Sequence, residues 1–187
     1  PLKPGHQWNG EYPLSLDGLE VVNFKATWQK QWPKNRLSFI WSFLIFPFNP
    51  TLALLRIYDH PTEEFELWDK LLTRGPIAGF LGHDSTAKLM SIMNIRFRWP
   101  SYRSTFELAS NHVLLQSELT GNFRQDAHKM FSALKSGQFY MSLDILGNPK
   151  GFFADIVHLD TGKVHPLGAK LNLQDDLQLR VHLPETP

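Results

Sequence analysis

Apolar and polar positions along this chain follow two periods. Before Gln138 apolar residues recur in helical steps or short unbroken runs; after it they fall into short strands divided by turn dipeptides. The most telling run is Ile77-Ala78-Gly79-Phe80-Leu81, which has no polar residue to alternate against and leads into Gly82-His83-Asp84-Ser85-Thr86. It predicts a strand buried on both faces, as in a parallel α/β sheet. The polar cluster then stands at the strand's carboxyl end, where such folds build their sites. Asp84 is the first candidate. Its competing reading is an Asx-turn, in which the carboxylate only bonds nearby backbone.

Upstream, Asp17-Gly18 marks a turn and residues 19–24 read as a strand. Residues 25–34 carry Trp28 and Trp32 at helical spacing and break at Pro33. The run 37–55 has no charge and includes Phe39, Ile40, Trp41, Phe43, Leu44, Ile45, Phe46 and Phe48. Its length reaches the lower range of a membrane span, but Pro47, Asn49 and Pro50 divide it into pieces too short to cross. Two helical segments are expected there, buried or partner-covered; an interfacial docking surface is the alternative. Pro61, Glu63 and Glu64 then open a helix, Phe65, Trp68, Leu71 and Leu72 stripe it, and Arg74-Gly75-Pro76 stops it. Strand, helices and strand in that order are the grammar of an α/β crossover.

Beyond the central strand, residues 88–93 fit neither period and 94–99 alternate like a strand. A short helix with Tyr102, Phe106 and Leu108 follows Pro100, and 111–115 read as a buried strand. Residues 121–135 predict an amphipathic helix with Phe123, Ala127, Met130, Phe131 and Leu134 inward, stopped at Ser136-Gly137. Strands are expected at 139–144, 151–157, 163–165, 169–173 and 177–183, with Gly-Asn-Pro, Asp-Thr-Gly and Asp-Asp turns between them. A boundary at 148–151 divides an α/β part, 1–150, from an all-β module, 151–187, that reads as a truncated sandwich.

Composition narrows the chemistry. Of 187 residues 42% are hydrophobic and 20% charged, and the net charge is +1 with no long run of either sign. Those values fit a globular chain and give no sign of a nucleic-acid groove or a polybasic patch. With no cysteine there are no disulfides or thiolate sites, so any metal must be held by His, Asp or Glu. The opening Pro1-Leu2-Lys3-Pro4-Gly5 and the closing Leu183-Pro184-Glu185-Thr186-Pro187 read as cut ends, and a fragment or processed chain is expected.

Four features in sequence resemble one family. Residues 111–152, NHVLLQSELTGNFRQDAHKMFSALKSGQFYMSLDILGNPKGF, look like the late part of PHP-domain (polymerase and histidinol phosphatase) proteins, in particular bacterial members followed by an all-β module. DGLEVVN at 17–23, the helix EEFELWDKLLTRGP and the Gly-x-Asp loop at Gly82 complete the order. The resemblance implies the C-terminal half of a distorted (β/α)7 barrel, TIM-like in layout, followed by a small all-β segment. It implies a phosphoesterase that hydrolyses a phosphorylated small molecule with metal-activated water, using up to three divalent ions of Zn, Mn or Fe. Asp84 corresponds to a family metal ligand and catalytic residue, with His83 beside it as helper; Glu20 and Asn23 match the family's Glu-Val-x-Asn strand and line the substrate wall. The family's last motif is Gly-x-Asp-x-His, whereas Thr86 stands here at the His position and is a poorer ligand than imidazole. Its early His-x-His ligands have no counterpart, and His6 alone cannot replace them. Most ligands are therefore expected outside this chain, on an upstream half of the barrel or another chain, since a half-barrel leaves strand edges open. The alternative is a catalytically degenerate PHP-like domain that binds or scaffolds, peripheral to a membrane through 37–55.

The remaining histidines have plainer readings. Glu20 and Asn23 could equally be a buried pair bonding a neighbouring loop. His112 reads as a hydrogen-bonded core residue, His60 as a helix cap and His128 as solvated surface. His158 and His165 have no ligand-like spacing.

Overall fold

The computed structural model describes residues 10, 12–13, 16–86, 88–92, 95–172 and 176–184. His6, most of the loop expected over 1–15, and Ala87, Met93, Asn94 and Leu173 lie outside that set. Contacts divide the chain into two compact units, Pro1–Ser110 and Asn111–Pro187. The turn at 148–151 lies inside the second.

The first unit opens with strand β1 (Gly18–Asn23), helix α1 (Phe24–Lys34), α2 (Arg36–Ile45), α3 (Pro50–Leu55), α4 (Thr62–Leu72) and strand β2 (Ala78–Gly82). β1 and β2 pair in parallel, from Gly18 opposite Ala78 to Asn23 opposite Gly82, with a bulge between Glu20 and Val22. Parallel pairing requires a crossover, and the four helices supply it. The hydrophobic run that predicts β2 does produce a strand. Its burial alternates, however: Gly79 and Leu81 are buried, whereas Ala78, Phe80 and Gly82 are half-buried. The expected burial on both faces is not reached, because among the described residues β2 has β1 as its one neighbour and small sheets stand where a layered one was expected.

Val21, Val22, Phe24, Ala26, Trp28, Leu54, Ile57, Leu71 and Leu81 form the core of this unit. The Trp68 indole on α4 donates to the Ile77 carbonyl at 2.9 Å, anchoring the helix where the chain enters β2. Asparagine opens each of the first three helices. Asn23 accepts from Ala26 N, Asn35 from Ser38 N and Asn49 from Leu52 N, each supplying an acceptor to an orphan amide of the first turn. Pro33 has no N–H to give the last turn of α1, and the helix ends one residue after it.

The fully buried Ser42 hydroxyl donates to the Ala53 carbonyl at 2.5 Å and ties α2 to α3. Ser42→Ala should leave that carbonyl without its donor and lower stability by about 1–3 kcal/mol. Urea denaturation reads this, and an unchanged midpoint would mean that the bond contributes nothing. After β2 an antiparallel hairpin, β3 (Lys88–Ile92) and β4 (Ile95–Trp99), resolves the segment whose period was ambiguous. The short helix α5 (Tyr102–Phe106) follows, capped by Ser101.

In the second unit β5 (Ser110–Val113) pairs with β6 (Phe139–Ser142) across the helix α6 (Phe123–Lys135). A 3-10 turn, Asp144–Leu146, leads to the sheet β8-β7-β9, in which β7 (Phe153–His158) is flanked antiparallel by β8 (Val164–Pro166) and β9 (Leu177–His182). Three expectations change here. β5 is half-buried rather than buried. Residues 169–172 form no strand. On α6 Ala133 is buried, but Phe123, Met130 and Phe131 are exposed, Phe123 by 84%. Helical period locates the apolar stripe; it does not supply a surface to cover it.

The three-stranded sheet carries a pH response. Burial and the nearby Lys163 and His158 hold the His165 imidazole below its ordinary value of 6.5. Hydrogen bonds from His158 and from Arg180 hold Asp176 and Asp155 below the ordinary 3.8. Each depressed group binds protons more readily unfolded, so its contribution is present above the unfolded pKa and lost as pH falls through the folded one. The urea midpoint of this unit should therefore begin to drop as pH falls through 6.5, the ordinary value of His165, and again as it falls through 3.8, the ordinary value of the two acids. A midpoint that stays level across both windows would contradict the assignment.

Candidate functional site

Parallel pairing brings the carboxyl ends of β1 and β2 to one edge, and all four candidate residues belong to that edge or its loop. Asn23 ends β1 and caps α1. Its Oδ1 accepts from Ala26 N at 2.7 Å while its Nδ2 donates to Glu20 Oε1 at 2.5 Å, so one amide fixes both the helix start and the Glu20 carboxylate. Glu20 in turn lies over the end of β2. A Cβ at position 82 would stand 2.0 Å from Glu20 Oε2, so glycine there makes room for the carboxylate. Glu20 and Asn23 thus bond one another rather than a neighbouring loop, with Asn23 buried and Glu20 half-buried.

Asp84 has φ 43, the left-handed region that Asp adopts more readily than most residues. Its carboxylate is 3.2 Å from Lys25 Nζ, on the first turn of α1. With Asp84 47% exposed, such a pair contributes at most about 1 kcal/mol. It is a weak tether. Lys25 was not singled out from the sequence, where it reads as one more charged residue on an amphipathic helix. The signal that finds it is topological: a residue just after β1 lies beside one just after β2 when the two strands pair in parallel.

His83 points into different surroundings from Asp84. Its ring stacks on Phe24, with centroids 5.5 Å apart, and meets Phe106 edge-on at 5.4 Å. Thr86 is exposed. Among the described residues no three His, Asp or Glu side chains gather to hold a metal ion. The oxygen donors this edge offers are Glu20 and Asp84. On their own they do not make up a metal site, because one is bonded by Asn23 and the other by Lys25.

Elsewhere in the first unit a cavity of about 200 Å³ is lined by Lys30, Lys34, Asp59, His60, Glu63 and Glu64, among others. Lys30 reaches Glu63 at 2.9 Å and Glu64 at 2.7 Å. Burial lowers the Lys30 ammonium, but its bonds to Glu64 and Glu63 outweigh that and leave it raised. Cation and acids satisfy one another, so this is a clasp between α1 and α4. His60 bonds the Thr62 hydroxyl at 3.2 Å and stacks on Phe65, but it is not the cap its sequence position suggests, since Pro61 holds that place and makes no side-chain cap bond.

In the second unit His112 Nε2 lies 3.0 Å from Asp144 Oδ1 and its ring stacks on Tyr140. It is hydrogen-bonded but half-buried, not a core residue. His128 is exposed. His158 and His165 have ring centroids 5.2 Å apart on adjacent strands, and His158 Nδ1 is 3.0 Å from Asp176 Oδ2. Linear spacing hides that neighbourhood, which strand register creates.

No family model, curated protein or solved structure matches this chain. The functional reading therefore rests on the edge itself.

Proposed function

We propose that this chain is part of a PHP-like, metal-dependent phosphoesterase, with the carboxyl edge of β1 and β2 in its site. The observation that carries the reading is the convergence of Glu20, Asn23, Lys25 and Asp84 on one end of a parallel strand pair crossed over by helices. Open parallel sheets bind ligands outside the carboxyl ends of their strands. In the finer reading the pair belongs to the C-terminal half of a distorted (β/α)7 barrel. Asp84 serves as a metal ligand, and Glu20 and Asn23 hold the substrate wall; His83, packed on Phe24 and Phe106, would reach the metal only by leaving those rings.

Two or three divalent ions of Zn, Mn or Fe would supply a water of lowered pKa and neutralise charge on the phosphoryl oxygens. Among the described residues too few donors stand at this edge to bind them, so in this reading the remaining ligands come from elsewhere, on an upstream segment or a partner. Lys25 compensates the Asp84 carboxylate. With a metal bound by Asp84, the Lys25 ammonium would be the group on this edge to meet a phosphate oxygen. Glu20, oriented by Asn23, presents a second carboxylate on the same edge.

The test uses the full-length protein with p-nitrophenyl phosphate and added Mn²⁺ or Zn²⁺. Saturable hydrolysis that a chelator abolishes is expected. Hydrolysis that is absent with every metal, or unaffected by chelation, would overturn the proposal.

A second reading is favoured by the Lys25–Asp84 contact together with Thr86 at the position of the family histidine. In it the domain has lost its metals and acts as a binding module, with the ion pair standing where the metal was. Binding of inorganic phosphate without turnover would support that reading over the enzyme.

A further inference from the structure

Helices α2 and α3 bury one side and leave another bare. Phe39, Ser42, Ala53 and Leu54 are turned inward. Leu37, Ile40, Trp41 and Leu44 are between 52% and 80% exposed. At steps of three and four these four form one stripe on α2, opposite Phe39 and Ser42. Phe48, in the turn that follows, is 89% exposed and extends the apolar surface. Single exposed apolar residues are ordinary, but a contiguous set of this size marks an interaction surface.

Charge identifies what covers it. Residues 21–58 contain no Asp or Glu and five cations, Lys25, Lys30, Lys34, Arg36 and Arg56. Lys25 and Lys30 meet acids from outside that stretch, namely Asp84, Glu63 and Glu64. Lys34, Arg36 and Arg56 are exposed; Lys34 also lies near Glu63 and Arg56 shares a cavity wall with Asp59, and Arg36 and Arg56 bound the uncharged run directly on its two sides. Trp32 and Trp41, each 52% exposed, add the amphipathic rings enriched at membrane–water interfaces.

We propose that the α2–α3 helix pair lies in the interface of an anionic lipid bilayer. Leu37, Ile40, Leu44 and Phe48 enter the acyl boundary, and Lys34, Arg36 and Arg56 meet the headgroup phosphates. The ten residues of α2 make a helix only about 15 Å long, half the thickness of a bilayer core, so the pair lies along the surface. Among the described residues no helix is long and apolar enough to cross a membrane. A second copy of the chain is the poorer occupant. A second copy would offer this face only its own apolar side chains and cations, with no acid between residues 21 and 58 to meet Lys34 and Arg36.

Sedimentation of the full-length protein with vesicles tests the proposal, which stands apart from the phosphoesterase reading. One vesicle set contains three parts phosphatidylcholine to one part phosphatidylglycerol, the other phosphatidylcholine alone, both at about 0.1 M salt. The protein should pellet with the anionic set. Ile40→Glu with Leu44→Glu should weaken partitioning at least about tenfold, and Arg36→Glu with Arg56→Glu should reduce the anionic preference about tenfold. All four side chains are exposed, so both variants should keep the parent's circular dichroism and melting temperature. The proposal is overturned if neither vesicle set pellets the protein, or if well-folded variants bind as the parent does. It is also overturned by velocity sedimentation if a dimer forms in place of lipid binding and the Ile40→Glu, Leu44→Glu variant abolishes it. That result would assign the face to a second copy.

Discussion

Asp84→Asn in the full-length protein is expected to lower phosphoester hydrolysis at least about 100-fold, since even contacts that merely support a metal ligand cost 10–100-fold when removed. The substitution keeps the shape of the side chain and removes the charge that a metal requires. It should also keep the fold. Asn, like Asp, tolerates the left-handed backbone found at this position, φ 43. The Lys25 partner is lost, but an exposed pair of this kind is worth at most about 1 kcal/mol. Activity and stability should therefore separate: kcat/KM collapses while the melting temperature barely moves. An unimpaired enzyme would remove Asp84 from the chemistry, and with it the proposed site.

The largest stability effect should come from the second unit. Gly168→Ala is expected to cost about 2–4 kcal/mol, a loss in the range of overpacked and strained sites. Gly168 has φ 82, and a Cβ there would stand 1.9 Å from the Ser136 carbonyl oxygen and 2.9 Å from the Gly137 carbonyl carbon. Both neighbours are backbone at the end of α6, where Ser136 caps the helix, so neither can swing aside as a side chain would. Gly162→Ala is the comparison. Its φ is 66 but nothing lies within 4 Å of the added carbon, leaving only the backbone penalty of about 1–2 kcal/mol. Urea midpoints of the two variants measure the difference, and equal losses would mean that the clash relaxes freely.

Local grammar made much of the first unit legible. The helix from Thr62 was signalled by its acids and closed by Arg74-Gly75-Pro76, and Pro47 to Pro50 split the uncharged run where α2 and α3 part. The apolar run at 77–81 became β2, parallel to the strand that contains Glu20. These signals are local, so no partner is needed to read them. What sequence could not supply was the neighbour. Phe123, Met130 and Phe131 lie on the stripe that helical period assigns to the core, yet they are exposed. A stripe shows which face is apolar, not what covers it. The Lys25–Asp84 contact and the His158–His165 pair were missed for a related reason, since strand pairing and register bring those residues together and linear spacing does not. The acid-free stretch 21–58 escaped notice because its five cations are dispersed and form no run.

Elemental analysis of the full-length protein, purified without chelator, tests the central claim most directly, with Asp84→Asn measured alongside. About two to three equivalents of Zn, Mn or Fe per chain are expected in the parent, with a clear loss of metal in the variant. No metal in the parent, or the same content in both proteins, would contradict it.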